Sequence, residues 1–503
     1  MAERLSPIDG SFLRVESPSA HMHVAWSATF RLPEGQPRPT LTRLRRHIAA
    51  RLELVPRFRC RLAYPPPGMG EPFWVEDPDF DVGNHVLPLG TLGLELDDNR
   101  FALLCDSVLS SPLDRRRPLW EIRLAPRFAD GRCGLVAKIH HALVDGRSAV
   151  EVAQLLFDVE PHGVADLPVP WEAPPTPGGT KLAARAVAMG AEDSVRVARG
   201  AARMAGEPRA AAARIAGTLR RAALAAGEDL LRPAPGSALN APIGPRRTLV
   251  RHSVDLDAVR KVRRAAGATV NDVCLALAAG ATVNDVCLAL ASGALRELAL
   301  ARGEAPLPLK AMVPVNVRGV GEADALGNRI SFAFVPLPLD LASPRARLAQ
   351  IRRSTVAFKR DGRPAGREAV LGALGRLPDP LRGVAARAAA SPRLFNLTIS
   401  NVPGPDFPLY MLGAELIEAH PVVPIAQGHA LSIGVFSYLG RLHFGFYADP
   451  HAFPEVTGLP GAFETALREL LLPPGVQKRR GRPRRGRPLP SPSEAGLAAA
   501  GPR

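Results

Sequence analysis

The chain has 503 residues, 46% hydrophobic and 22% charged, a globular balance with length enough for two cores. Its net charge of +16 is uneven, with +7 in residues 474–503 and +5 in residues 180–232, so the basic character belongs to a tail and a linker. Five scattered cysteines without a Cys-x-x-Cys pair argue against a disulfide framework or a zinc site, and no metal is expected. The N-terminus lacks the apolar core of a signal peptide, and no run of about 18 apolar residues is present, so a cytoplasmic protein is expected.

In chain order, residues 24–30 read as a strand and 41–54 as an amphipathic helix. Residues 134–141 read as a second strand, whose period-2 alternation places Leu135, Ala137, Ile139 and His141 on one face. Val136, Lys138 and His140 then fall on the other. Asp145-Gly146 marks a turn, and the spacing of Ala149, Val152, Ala153 and Leu156 predicts a helix after it. Residues 160–178 are rich in proline and 180–232 in alanine and arginine, a crossover with surface helices. Strand-like patterns resume at 310–315, 395–399 and 430–438. The expected partition is a domain over 1–170, a linker over 171–245, a second domain over 246–473 and a disordered basic tail over 474–503.

Residues 268–280 recur at 281–293, differing only at Ala279 versus Ser292, which suggests a recent tandem duplication. Thirteen residues advance a helix by three turns plus roughly 220°, so the two copies cannot share one buried stripe. The paired Asn-Asp at 271–272 and 284–285 reads as a helix N-cap. An insertion ahead of the helix start is tolerated better than one inside it, which favours Asn284 over Asn271 as the working copy.

The segment Lys138-Ile139-His140-His141-Ala142-Leu143-Val144-Asp145-Gly146 carries the chemistry. Imidazole moves protons near neutral pH without a large shift of its pKa. A strand-end pair of histidines also occurs as plain packing, one ring in the core and one exposed. The spacing to Asp145-Gly146 resembles the His-x-x-x-Asp-Gly signature of CoA-dependent acyltransferases. It is in the doubled form shared by condensation domains and bacterial wax ester synthase/diacylglycerol acyltransferases. Further segments resemble the second family in order: 5–13, His21-Met22-His23-Val24, Phe80-Asp81-Val82 with His85, Pro112-Leu113-Asp114-Arg115, and Arg117-Pro118-Leu119-Trp120-Glu121. They continue with the Asn-Asp-Val motif at 271 and 284, then 312–318, 326–329 and 400–405, so the likeness covers about residues 5–470.

That resemblance implies an α/β fold of two chloramphenicol-acetyltransferase-like domains, with the active site in a tunnel between them. It implies an acyl-CoA-dependent O-acyltransferase making triacylglycerol from diacylglycerol, or wax ester from a fatty alcohol. His141 would be the general base, His140 its support, Asp145 a structural residue and Gly146 a close turn beside the substrate. Asn284 with Asp285, or Asn271 in the alternative copy, would form the opposing wall; Trp120 reads first as a core residue and second as a candidate wall residue. Gly146-Arg147-Ser148-Ala149-Val150 departs from Gly-x-Ser-x-Gly, which disfavours a serine acyl-enzyme. No cofactor is expected beyond acyl-CoA as co-substrate. The alternatives are a condensation-type transferase with another acceptor, or a lipid-binding paralogue impaired by the duplication.

Arg480-Gly481-Arg482-Pro483 and Arg485-Gly486-Arg487-Pro488 resemble AT-hooks, which lay arginine into the minor groove. A nonspecific polybasic tail has the same composition, so nucleic acid is not the expected partner. Peripheral contact with an anionic membrane or lipid-droplet surface suits these charges better.

Overall fold

A computed structural model describes residues 2–91, 93–143, 148–161, 171–172, 174–206, 233–265, 281–316, 330–360 and 379–472. The first part of the chain forms β1 (Glu3–Arg4), α1 (Pro7–Val15), β2 (His23–Arg31), α2 (Leu41–Arg51), β3 (Cys60–Ala63) and β4 (Phe73–Glu76). It continues with β5 (Val86–Pro88), α3 (Asp98–Leu109), β6 (Trp120–Ala125), β7 (Cys133–His140), α4 (Ser148–Leu156) and α5 (Gly179–Gly206). Then come β8 (Thr248–Asp255), α6 (Leu256–Ala265), α7 (Val283–Ala301), β9 (Leu309–Asn316), β10 (Ile330–Leu337), α8 (Pro344–Arg360) and α9 (Asp379–Ala389). The last elements are β11 (Leu397–Pro403), β12 (Tyr410–Met411), β13 (Ala414–Val422), β14 (Leu431–Tyr438), β15 (Arg441–Ala448) and α10 (Leu459–Leu471).

Two six-stranded sheets organise these elements. The N-terminal sheet runs β12-β13-β2-β7-β6-β5 and the C-terminal sheet β10-β9-β11-β14-β15-β8; β1, β4 and β3 make a small third sheet. The strand alternation read from sequence explains the N-terminal layers. Even positions of β2 (Val24, Trp26, Ala28, Phe30) and odd positions of β7 (Leu135, Ala137, Ile139) face a core shared with Leu44 and Ile48 of α2 and Leu155 of α4. The opposite face carries His23, Ser27, Thr29, Lys138 and His140, all buried. Val136 on that face joins α3 and the C-terminal helices in one continuous core.

The expected boundary at residue 246 is crossed. β12 and β13 belong by position to the C-terminal segment, yet β13 pairs antiparallel with β2 from Glu415↔Arg31 to Val422↔Ala25. Pairing over nearly 400 residues has no local sequence signature, because only the exposed edge of β2 specifies it. β13 also presses on the C-terminal sheet: a Cβ at Gly445 would lie 2.0 Å from the Pro421 carbonyl oxygen, and one at Gly434 2.7 Å from it. The crossover helix α5 lays Leu182 and Ala186 on Phe73 and Val75 of the small sheet. Among the described residues no helix is long and apolar enough to cross a membrane.

Candidate active site

α1 fixes one wall of the site. Ser6 caps it by accepting from the Asp9 N–H at 3.1 Å, with Pro7 at the first helical position. Glu71, 1% exposed, accepts from Arg14 of α1 at 2.8 Å and from Arg382 of α9 at 2.9 Å, clamping the helix to the C-terminal half. Gly10 permits this, since a Cβ there would lie 2.3 Å from Glu71 Oε2. One turn apart on the same helix end, Phe12 and Glu16 then receive the two histidines.

His140 is the last residue of β7, opposite His23 of β2, and 1% exposed. Its Nδ1 accepts from the Ala142 N–H at 3.0 Å and its carbonyl from the Leu143 N–H at 2.9 Å. Those bonds fix the tautomer with the proton on Nε2, which faces Glu16 Oε2 at 3.5 Å. Glu16 also approaches His23 Nε2 at 3.6 Å and accepts from Arg115 Nε at 2.9 Å. Burial pushes the Glu16 carboxyl up, but His140 and Arg115 outweigh it and hold it at about 2. Burial drives His23 well below the ordinary histidine range, with the Lys138 charge acting in the same direction. Lys138 donates to the Val108 and Ser111 carbonyls at 2.8 and 2.9 Å, and burial lowers its pKa to about 8.

His141 departs from the alternation expected of it. The strand stops at His140, and His141 begins a turn, its N–H donating to the Met22 carbonyl at 2.8 Å. The ring therefore does not join the Leu135–Ile139 face but stacks on Phe12, centroids 3.8 Å apart and planes 11° apart. Its Nδ1 is buried without a hydrogen-bond partner. Burial, reinforced by neighbouring His140, lowers its pKa to about 4, so the ring is neutral at physiological pH. Both rings thus meet α1, one on an aromatic side chain and one on a carboxylate.

Asp145, Gly146 and Asn271 lie outside the described residues, as does the tail. The second repeat copy opens α7, but neither Asn284 nor Asp285 is the N-cap. Thr282 is, accepting from the Asp285 N–H at 3.2 Å while Asp285 Oδ2 accepts from the Thr282 N–H at 2.8 Å. The other Asp285 oxygen accepts from Thr355 at 2.8 Å, so this buried carboxylate holds the helix start and α8. Asn284 sits partly exposed at the second helical position. Trp120, named above as a wall candidate, is a core residue. It pairs opposite Ile139, stacks on His85 at 4.5 Å and donates from Nε1 to the Phe58 carbonyl at 2.7 Å. Glu16 escaped the sequence reading, and Phe12 was noted only as part of the opening segment. Their i, i+4 spacing was the available signal.

Two mixed six-stranded sheets sharing a core define a known fold. The same fold occurs in a starter condensation domain of rhizomide synthetase solved in complex with C8-CoA (14% identity, TM-score 0.56, 94% of each chain covered). Within that fold the match narrows. Residues 5–274 match the wax ester synthase/diacylglycerol acyltransferase catalytic domain and residues 326–471 the C-terminal domain of the same family. A probable diacylglycerol O-acyltransferase of Mycobacterium tuberculosis is 32% identical over 471 residues, 93% of this chain and 98% of the other. The wax ester synthase/diacylglycerol acyltransferase of Marinobacter aquaeolei VT8 superposes with a TM-score of 0.62 at 26% identity, covering 93% of this chain and 98% of that one. The chain belongs to the wax ester synthase/diacylglycerol acyltransferase family and is an acyltransferase.

Proposed function

We propose that the protein transfers a long-chain acyl group from acyl-CoA to the hydroxyl of diacylglycerol or of a fatty alcohol, with His141 as general base. The observation that carries this is the neutral, strand-end imidazole pressed on Phe12 with its neighbour His140 occupied elsewhere. The base takes the hydroxyl proton as oxygen attacks the thioester carbonyl, and returns it to the departing CoA sulfur. The balance is one ester formed, one thioester broken and one thiol released, with no acyl-enzyme. A ring that holds a proton as weakly as His141 gives it up readily to a thiolate, whose own pKa is near 8.5. His140 is a positioning residue that pins the turn through Ala142 and Leu143. Asn284 would form the opposing wall of the substrate channel between the two halves.

Purified protein supplied with labelled palmitoyl-CoA and either diolein or hexadecanol should form the corresponding ester. His141→Ala should lower kcat by about 10²–10⁴-fold. Absence of both esters, or an unimpaired His141→Ala enzyme, overturns the reading and favours an impaired lipid-binding paralogue. The enzyme would work from the cytoplasm against a lipid surface, its basic segments contributing about 1 kcal/mol per charge near an anionic leaflet. Removing residues 474–503 should reduce co-flotation with phosphatidylserine vesicles, and equal flotation sinks that attachment.

A further inference from the structure

We propose that Glu418, His420 and His443 form a binding site for a divalent cation of the zinc type, tying β13 to β15. The three residues each offer one ligand atom, and these atoms lie no more than 4.8 Å from one another. They are 25 residues apart in sequence at the widest and follow no metal-ligand spacing. The fold assembles them. After the irregularity between Leu416 and Glu418, Glu418 and His420 pair opposite Thr29 and Ser27, which puts both on the face turned away from the N-terminal core. The close approach of Pro421 to Gly445 brings β15, and with it His443, against that face.

Hydrogen bonds aim the rings. His420 Nδ1–H donates to the Phe444 carbonyl at 2.9 Å, so its Nε2 carries the lone pair in the neutral ring. That lone pair faces Glu418 Oε2 at 3.3 Å, two acceptors pointed at each other. A cation between them removes the conflict. His443 Nδ1 is bonded to Ser253 Oγ at 2.8 Å, which leaves Nε2 as the outward nitrogen. Both Nε2 atoms are buried without a hydrogen-bond partner. Glu418 Oε1 accepts from Thr29 Oγ1 at 3.3 Å, so each ligand has the outer support that ligating imidazoles and carboxylates carry.

Two imidazoles and one carboxylate form a zinc ligand set with a fourth position left for water. Ligand atoms around tetrahedral zinc are about 3.3 Å apart, so the widest pair contracts when the ion enters. The Glu418 side chain is 29% exposed against 2% for His420, giving the ion a route from solvent. The site is separate from the acyl-transfer centre. His140 pairs with His23 and His420 with Ser27, so the two lie four residues apart along β2, about 13 Å. The ion therefore acts as a staple between the donated strand and the C-terminal sheet.

The competing arrangement is a proton on His420 forming an ion pair with Glu418. Untagged full-length protein, stripped with EDTA and titrated with ZnCl2 against a chromophoric chelator, separates the two. We expect one tightly held equivalent per chain and a higher Tm on zinc addition. His443→Gln should weaken binding by about tenfold or more. Glu418→Gln, at the exposed rim, makes the same test if the buried substitution does not fold. His23→Gln, in the other histidine cluster, should bind as the wild type does. Cobalt(II) should give visible absorption that His443→Gln abolishes. Substoichiometric zinc, or equal affinity in wild type, His443→Gln and Glu418→Gln, overturns the proposal.

Discussion

His140 and His141 are adjacent in sequence but differ in what each ring nitrogen faces. His140 has Nδ1 committed to the Ala142 N–H and Nε2 turned to Glu16. Asparagine places an oxygen near the position of that Nδ1. His140→Asn should therefore retain activity within about tenfold, while His140→Ala loses the turn anchor and falls further, mostly in kcat. Equal losses in the two variants would remove the positioning role. His141 differs because burial depresses its pKa. A base that must be unprotonated then works down to about pH 5, and kcat/KM should fall only as pH approaches about 4. Initial rates taken within seconds of a pH jump test this, and an acid limb near 6.5 contradicts it. The motif was legible in the sequence, but the orientation was not. Alternation holds only while the strand lasts, and β7 ends one residue short of His141.

Helix and strand placement followed the sequence closely where a single element decided it. α2, α4, β7, β9 and β14 lie within a few residues of the expected segments. Pairing between distant elements was not legible, because nothing near residues 414–422 states that β2 is their partner. The same limit applies at α7. Asn and Asp are good caps by type, but Thr282, two positions before Asn284 and three before Asp285, takes the cap and engages Asp285 in a reciprocal pair. Thr282→Ala should cost about 1 kcal/mol of stability, while Asn284→Ala should stay within about 0.5 kcal/mol. Chemical unfolding of both variants checks the order, and a larger loss at Asn284 reverses it. Gly445 makes a second element-scale case. A methyl group there meets the Pro421 backbone carbonyl, not the end of a flexible side chain. Gly445→Ala should cost about 2 kcal/mol, as overpacking typically does. A neutral result in the same unfolding assay would mean β13 and β15 separate easily.

Among the described residues, several of the buried polar side chains are histidines that burial pushes towards the neutral form. His21, His23, His85 and His429 all have lowered pKa values with desolvation as the leading cause. A histidine whose folded pKa lies below 6.5 binds a proton more readily in the unfolded chain, so its stabilising effect is complete above 6.5 and is lost as pH falls below it. Glu16, held at about 2, acts in the same direction at lower pH, between 4.5 and 2. Asp106 opposes. Burial raises it to about 6 despite bonds from Thr248 and the Leu249 N–H, so its protonation favours the folded state as pH drops from 6 towards 3.8. Four histidines outnumber that one carboxyl. Urea midpoints should therefore fall from pH 7.5 to pH 5.5. A flat profile over that range would mean the buried imidazoles are reached by water in the folded protein.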